Sequence, residues 1–284
     1  MLRYGYNTNG MAHHRLEDAV DLLADLGYAG IALTLDVQLL DPFTTGPEER
    51  ARARALLDSK GLDRVVETGA RFLLDPRTKH RPTLLEDDPD LRERRIGFLR
   101  AALEMASDLE AGVVSFWSGV LPAGVKEEDA WDRLEQSVAL LNPDAERLGV
   151  QLALEPEPGM LVETMDHWRA VAEGLGGAIG LCLDVGHLVV NGEGSASGVI
   201  QRHADDLCHV HLEDMANGVH EHLVPGEGLG NVDFEDVLGA LTRCGYGGLV
   251  SLELSRDSHR APEVAGRAIP FLQSVENGLT SPAA

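Results

Sequence analysis

Apolar positions along this chain recur in two alternating rhythms. Short β-rich runs of six or seven residues are each followed by longer stretches in which apolar residues return every three or four positions. The short runs are 2–7 (LRYGYN), 29–35 (AGIALTL), 62–68 (LDRVVET), 112–117 (GVVSFW), 150–155 (VQLALE), 179–184 (IGLCLD), 207–212 (LCHVHL) and 248–254 (GLVSLEL). Between them, Leu16, Ala19, Val20, Leu23 and Leu26 share one helical face, as do Leu134, Val138, Leu141 and Ala145, and Val237, Leu238 and Leu241. This alternation predicts βα units feeding a parallel sheet. In DLGYAGIAL, RLGVQLAL and RCGYGGLVSL a glycine stands between helix and strand, where a left-handed residue ends a helix. Eight such units predict a closed (β/α)8 TIM barrel. An open doubly wound sheet usually has fewer units and a Gly-rich phosphate loop after its first strand, which NTNGMAHH is not.

No Pro/Ser-rich linker interrupts the pattern, so one barrel domain over 1–277 with a short C-terminal tail, 278–284, is expected. The one long irregular stretch, Asp75 to Asp90, follows the third run, in the loop position where barrels carry functional insertions.

Composition narrows the partners. The 284 residues are 44% apolar, enough for a substantial core, and 47 acidic against 24 basic residues leave a net charge of −23. That field repels nucleic acid and anionic membrane surfaces. No basic-then-apolar leader opens the chain, and no run approaches the ~20 apolar residues of a membrane span, so a cytoplasmic protein is expected. Cys182, Cys208 and Cys244 lie in or beside apolar runs and read as reduced, buried thiols. A homo-oligomer is compatible with all of this.

In a barrel, side chains at the C-terminal ends of strands face the active-site mouth. Here the fifth run ends at Glu155, the sixth at Asp184 with His187 just beyond, the seventh at His211 and the eighth at Glu253. A single acid after a strand is ordinarily solvated. Three carboxylates at the inner ends of apolar runs are costly unless paired or bound to metal. Together with one imidazole they suit one divalent metal ion, Mn, Mg, Co or Zn, with positions left for substrate oxygens. The set has no thiolate, unlike most structural zinc sites. His209 reads either as core or as support behind His211, and Glu157, Glu213 and Asp214 read as rim residues.

These residues resemble the xylose isomerase-like TIM-barrel superfamily, in its sugar phosphate isomerase/epimerase branch, alongside ketose 3-epimerases, inosose dehydratases and endonuclease IV. The resemblance rests on E-P-E-P at 155–158, D-V-G-H at 184–187, H-V-H-L-E-D at 209–214, H-L-V-P-G-E-G at 222–228 followed by DFEDVLGAL, and G-Y-G-G-L-V-S-L-E ending at Glu253. It implies that Glu155, Asp184, His211 and Glu253 are the metal ligands, that Glu155 and Glu253 are the catalytic acid/base pair, and that His187 and His222 contact substrate. It further implies a divalent-metal-dependent isomerase or epimerase of a keto-sugar or cyclitol-like substrate. Proton abstraction alpha to a carbonyl then passes through a metal-stabilised enediolate. An alternative is a dehydratase or lyase of an inosose or 3-keto-sugar, since the same enediolate can expel a beta hydroxyl.

Two further classes are disfavoured. The three-metal set of endonuclease IV relatives is incomplete, with Trp117 and His220 standing where a histidine and an acid would be expected. A non-catalytic metal-binding barrel would not need a facing pair of glutamates. The second run, I-A-L-T-L-D, lacks the Glu that relatives often carry. Trp117 is a candidate to stack on a sugar ring, with Glu157 on the rim. Arg71, with Arg77, Lys79, His80 and Arg81, forms a basic island in an acidic chain, a candidate anion handle or lid.

Overall fold

A strand of a parallel sheet covered by helices must be apolar on both faces, and the runs behave accordingly: Gly30–Thr34 and Gly180–Asp184 are buried at every residue. The computed structural model describes residues 1–280. Its strands are β1 (Arg3–Asn7), β2 (Gly30–Thr34), β3 (Asp63–Glu67), β4 (Val113–Trp117), β5 (Gln151–Glu155), β6 (Gly180–Asp184), β7 (Leu207–Leu212), β8 (Asp214–Ala216), β9 (Val219–Leu223) and β10 (Leu249–Leu252). Eight of them close in the order β1-β10-β7-β6-β5-β4-β3-β2, while β8 and β9 form a separate two-stranded ribbon. The helices are α1 (Leu16–Asp25), α2 (Pro47–Lys60), α3 (Pro89–Asp108), α4 (Glu127–Leu148), α5 (Met165–Gly174), α6 (Val185–Asn191), α7 (Ala196–Arg202), α8 (Phe234–Arg243) and α9 (Ala261–Thr280). The predicted (β/α)8 TIM barrel is therefore the fold.

Local chemistry sets the ends of these elements. Gly27, Gly149 and Gly245, the three glycines expected to stop helices, have φ of 84°, 66° and 71°, a left-handed conformation that costs other residues. Asp88 caps α3 by accepting from the Asp90 amide, with Pro89 following it. Asp184 closes β6 and caps α6 at once, because its side chain accepts from the His187 amide at 2.9 Å.

The chain divides into two compact units, with strands β2, β3 and β6 contributing residues to both. One unit comprises Met1–Ala32, Leu57–Asp63 and the chain from Leu183 onward. There β1 pairs with β2 and β10, and β10 pairs with β7 so that Ser251 stands opposite His211. The other comprises Leu33–Leu56 and Arg64–Cys182. In it β4 pairs with β3 and β5, β5 pairs with β6, and Trp117 stands opposite Glu155.

Packing at Gly30 leaves no room for a side chain. A Cβ there would meet Leu249 Cδ1 at 2.5 Å and the Asp63 carbonyl oxygen at 2.8 Å. Gly30→Ala is expected to cost about 1–3 kcal/mol, the usual penalty of overpacking. Urea unfolding measures it, and an unchanged midpoint would refute this close approach.

Three expectations change. Only Cys182 is a buried thiol; Cys208 is half-buried and Cys244 exposed, because the latter closes α8 on its outer side. Glu213 and Asp214 are not rim residues but are 0% and 3% exposed. The turn that β8 and β9 make folds them inward, and Asp214 accepts from the Gly230 and Val232 amides. Finally, α9 continues through 278–280, where a tail was expected, and 281–284 lie outside the described residues. Among the described residues, no helix is long and apolar enough to cross a membrane.

Candidate active site

In the first unit, β7, β10, the start of α6 and the β9 strand carry acids and imidazoles to one place. His211 Nδ1 lies 2.9 Å from Glu253 Oε2, and Asn9 donates its Nδ2 hydrogen to Glu253 Oε1 at 2.6 Å. Both oxygens of Glu253 are thus held. Glu253 stands one residue beyond β10, its amide bonded to the Leu212 carbonyl at 3.3 Å. The Glu253 carbonyl lies 2.9 Å from His222 Nδ1, which places a hydrogen on Nδ1. Burial disfavours the charged ring, but Glu213, Glu253 and Asp184 outweigh it and raise its pKa to about 10.

Asp184 is 1% exposed. Its Oδ1 is spent on the α6 cap, while Oδ2 is buried without a hydrogen bond, 3.4 Å from His187 Nε2. An ionised oxygen in that position is costly without a cation, so it is the atom that most clearly fits a bound metal ion. Glu213 supports the same corner. Its Oε1 accepts from the Gly186 amide at 3.1 Å, and its Oε2 lies 3.8 Å from His222 Nδ1. His187 and His220 approach to 3.2 Å between their Nε2 atoms.

The charges divide by environment. Burial pushes the Asp184 carboxyl up, but the neighbouring His187 and His222 imidazoles outweigh it and hold the group below its ordinary value. At Glu253 burial acts in the same sense and is overcome by His211, with the hydrogen bond between them, so this carboxyl stays ionised. At Glu213 the balance is reversed: burial and the Asp184 charge push it well above the carboxylate range, and His222 offsets only part of that. Burial and the adjacent His187 and His222 lower His220 to about 4.

The second unit holds the remaining candidates. Glu155 ends β5 and is 6% exposed, with Trp117 opposite it in register. Glu157, half-buried just beyond, bonds its amide to the Val162 carbonyl at 3.0 Å. Arg71 lies 3.9 Å from Asp36, and Arg81 pairs with Glu86 at 2.6 Å, so part of the basic island is already neutralised. Trp117 packs against His80, with ring centroids 5.4 Å apart, and against the Arg95 guanidinium.

Of the residues singled out from sequence, Asp184, His187, His211, His222 and Glu253 come together in one unit. His209 is 0% exposed and packs edge-on against His211, with centroids 5.0 Å apart, a placement that fits the core reading and the support reading alike. Sequence reasoning missed Asn9 and Arg95, and it placed Glu213 on the rim. Only Arg95 had a sequence signal: it shares the buried α3 face with Phe98, Leu99 and Ala102, an odd place for a charge.

Fold and site together define a (β/α)8 barrel with an acid–imidazole centre at its strand ends. The chain belongs to the xylose isomerase-like TIM barrel family, whose sequence pattern matches residues 20–275. It is 27% identical over 172 residues to an inosose dehydratase of Lacticaseibacillus casei, covering 53% of this chain and 56% of that one. It is 23% identical to a fructoselysine 3-epimerase of Escherichia coli O157:H7 over 262 residues, covering 89% and 90%. Its match to the inosose dehydratases spans about half their length. Among solved structures, a D-tagatose 3-epimerase-like protein superposes with a TM-score of 0.78 at 20% identity, covering 99% of this chain and 100% of that one. An L-ribulose 3-epimerase superposes with the same score and identity over 98% and 96%. These likenesses establish the shared fold.

Proposed function

We propose that this protein is a divalent-metal-dependent isomerase or epimerase of a keto-sugar or cyclitol-like substrate. The observation that carries the reading is the buried, unbonded Asp184 Oδ2 beside the ionised Glu253–His211 pair. Glu155, at the end of β5, is the third carboxylate of the proposed donor set, and three carboxylates with one imidazole suit Mn, Mg, Co or Zn. When bound, the ion supplies a Lewis acid that polarises the substrate carbonyl and its neighbouring hydroxyl.

Glu253 and Glu155 are the acid/base pair, each able to take a proton from, or return one to, the carbon alpha to that carbonyl. Asn9 orients Glu253 through Oε1 and keeps its other oxygen on the His211 side. His187 and His222 hold substrate hydroxyls, Trp117 offers a stacking face, and Glu157 and Arg71 contact substrate from the loops. Glu213, held protonated by burial, donates rather than adds a further charge.

A second reading, a metal-dependent dehydratase, is favoured by the likeness to inosose dehydratases. Turnover of candidate ketoses and inososes in deuterated water separates the two. Epimerisation is expected to place solvent deuterium on the alpha carbon without loss of water, whereas elimination gives an ultraviolet-absorbing enone. Neither signal with any candidate would sink both readings.

A further inference from the structure

A cation without a counter-ion lies beneath Trp117. Arg95 is 1% exposed on the inner face of α3. Its Nη2 donates to the Thr68 carbonyl at 3.0 Å, at the end of β3, while Nη1 is buried with no hydrogen-bond partner. The guanidinium carbon lies 4.3 Å from the centroid of the Trp117 ring and 5.1 Å from that of Phe98. Burial alone acts on it, lowering its pKa to about 9, and none of the described carboxylates pairs with it. A chain with 47 acids does not leave a buried arginine unpaired for want of partners. Stacking on rings returns only part of the cost of taking a guanidinium out of water.

His80 packs against the same indole. Its Nδ1 is also buried without a partner, while its ring bonds the Gly69 backbone. Burial, with Lys79, Arg95 and Arg71 nearby, lowers its pKa to about 4, so the ring is neutral. With the other nitrogen donating to the Gly69 carbonyl, Nδ1 is a lone pair that accepts from a hydroxyl. A free donor on a buried cation and a free acceptor thus both lie against the Trp117 ring, and Trp117 stands opposite Glu155 in register.

We propose that Arg95 and His80, about the Trp117 ring, form a recognition subsite for an acidic sugar: Arg95 Nη1 takes a carboxylate or phosphoryl oxygen, and His80 Nδ1 takes an adjacent hydroxyl. The assignment rests on the keto-sugar reading above and narrows it to substrates that carry an oxyanion. Charge-assisted hydrogen bonds from Arg to such groups are strong, and a site desolvated in advance strengthens them further.

The test uses full-length protein freed of metal with a chelator, so that its outcome is independent of any metal-dependent turnover. Calorimetric titration with inorganic phosphate and, separately, with acetate is compared with chloride at equal ionic strength. The wild type is expected to bind one of the two oxyanions, which also identifies the group. Arg95→Met is expected to weaken that binding at least about tenfold, the weight of one such bond. It should also melt at or above the wild-type temperature, because it removes a desolvated charge. His80→Ala, on an irregular segment, should bind the bare anion nearly as wild type does. No binding beyond chloride, or equal binding by wild type and Arg95→Met, would overturn the subsite. So would an Arg95→Met protein that melts lower or fails to fold, since the guanidinium would then be structural.

Discussion

Glu253→Gln is expected to reduce turnover of an accepted ketose or inosose by roughly 10²–10⁴-fold, the usual weight of a positioned acid or base. The substitution is nearly isosteric. The Gln oxygen can still accept from Asn9 Nδ2, which lies 2.6 Å from Oε1 in the wild type. The amide can donate to His211 Nδ1 in its other tautomer, in place of the present 2.9 Å contact. The fold should therefore persist while the proton-carrying group is gone. Glu155→Gln should cause a comparable loss. If Glu155 and Glu253 serve opposite faces of the substrate carbon, each single variant should retain deuterium exchange into one epimer but not the other. Unchanged turnover in both variants would defeat the acid/base assignment.

Metal content gives the second large effect. Purified wild type is expected to contain about one Mn, Co, Zn or Mg per chain by elemental analysis, and His211→Ala prepared identically should lose it. The reasoning is electrostatic: Asp184 and Glu253 are held ionised while almost wholly buried, and His211 is the imidazole in direct contact with Glu253. Removing that ring leaves the carboxylates facing one another without a nitrogen ligand. A metal present at 100 times its dissociation constant stabilises the folded state by about 2.7 kcal/mol. Chelation should accordingly lower the melting temperature of the wild type by several degrees, and scarcely move that of His211→Ala. A wild type that neither contains nor takes up a metal would refute the ligand assignment. Near three zinc ions per chain would revive a phosphodiesterase reading.

The sequence by itself determined the barrel. Eight apolar runs with helical stretches between them leave few other ways to bury both faces of each strand, and left-handed glycines such as Gly27, Gly149 and Gly245 mark where helix yields to strand. Strand ends are local, so Glu155, Asp184 and His211 could be read as facing the mouth as soon as the strands were counted. Glu253 was legible in the same way, although β10 stops one residue short of it.

What only the tertiary structure decided are the relations between residues far apart in the chain. Asn9 reaches Glu253 across 244 positions, and no pattern near residue 9 announces it. Glu213 looked like a rim acid because it follows a strand. The turn into β8 buries it against the Gly186 amide, and desolvation then sets its charge. Arg95 lies on a helix face that its spacing from Phe98, Leu99 and Ala102 marks as buried, but the Trp117 ring it meets there is set by how α3 packs on β4. Periodicity reports which face of an element is buried, because that depends on residues three or four apart. Which polar atom meets which, and whether any is left unpaired, depends on how separate elements pack, and that appears only when the chain has closed on itself.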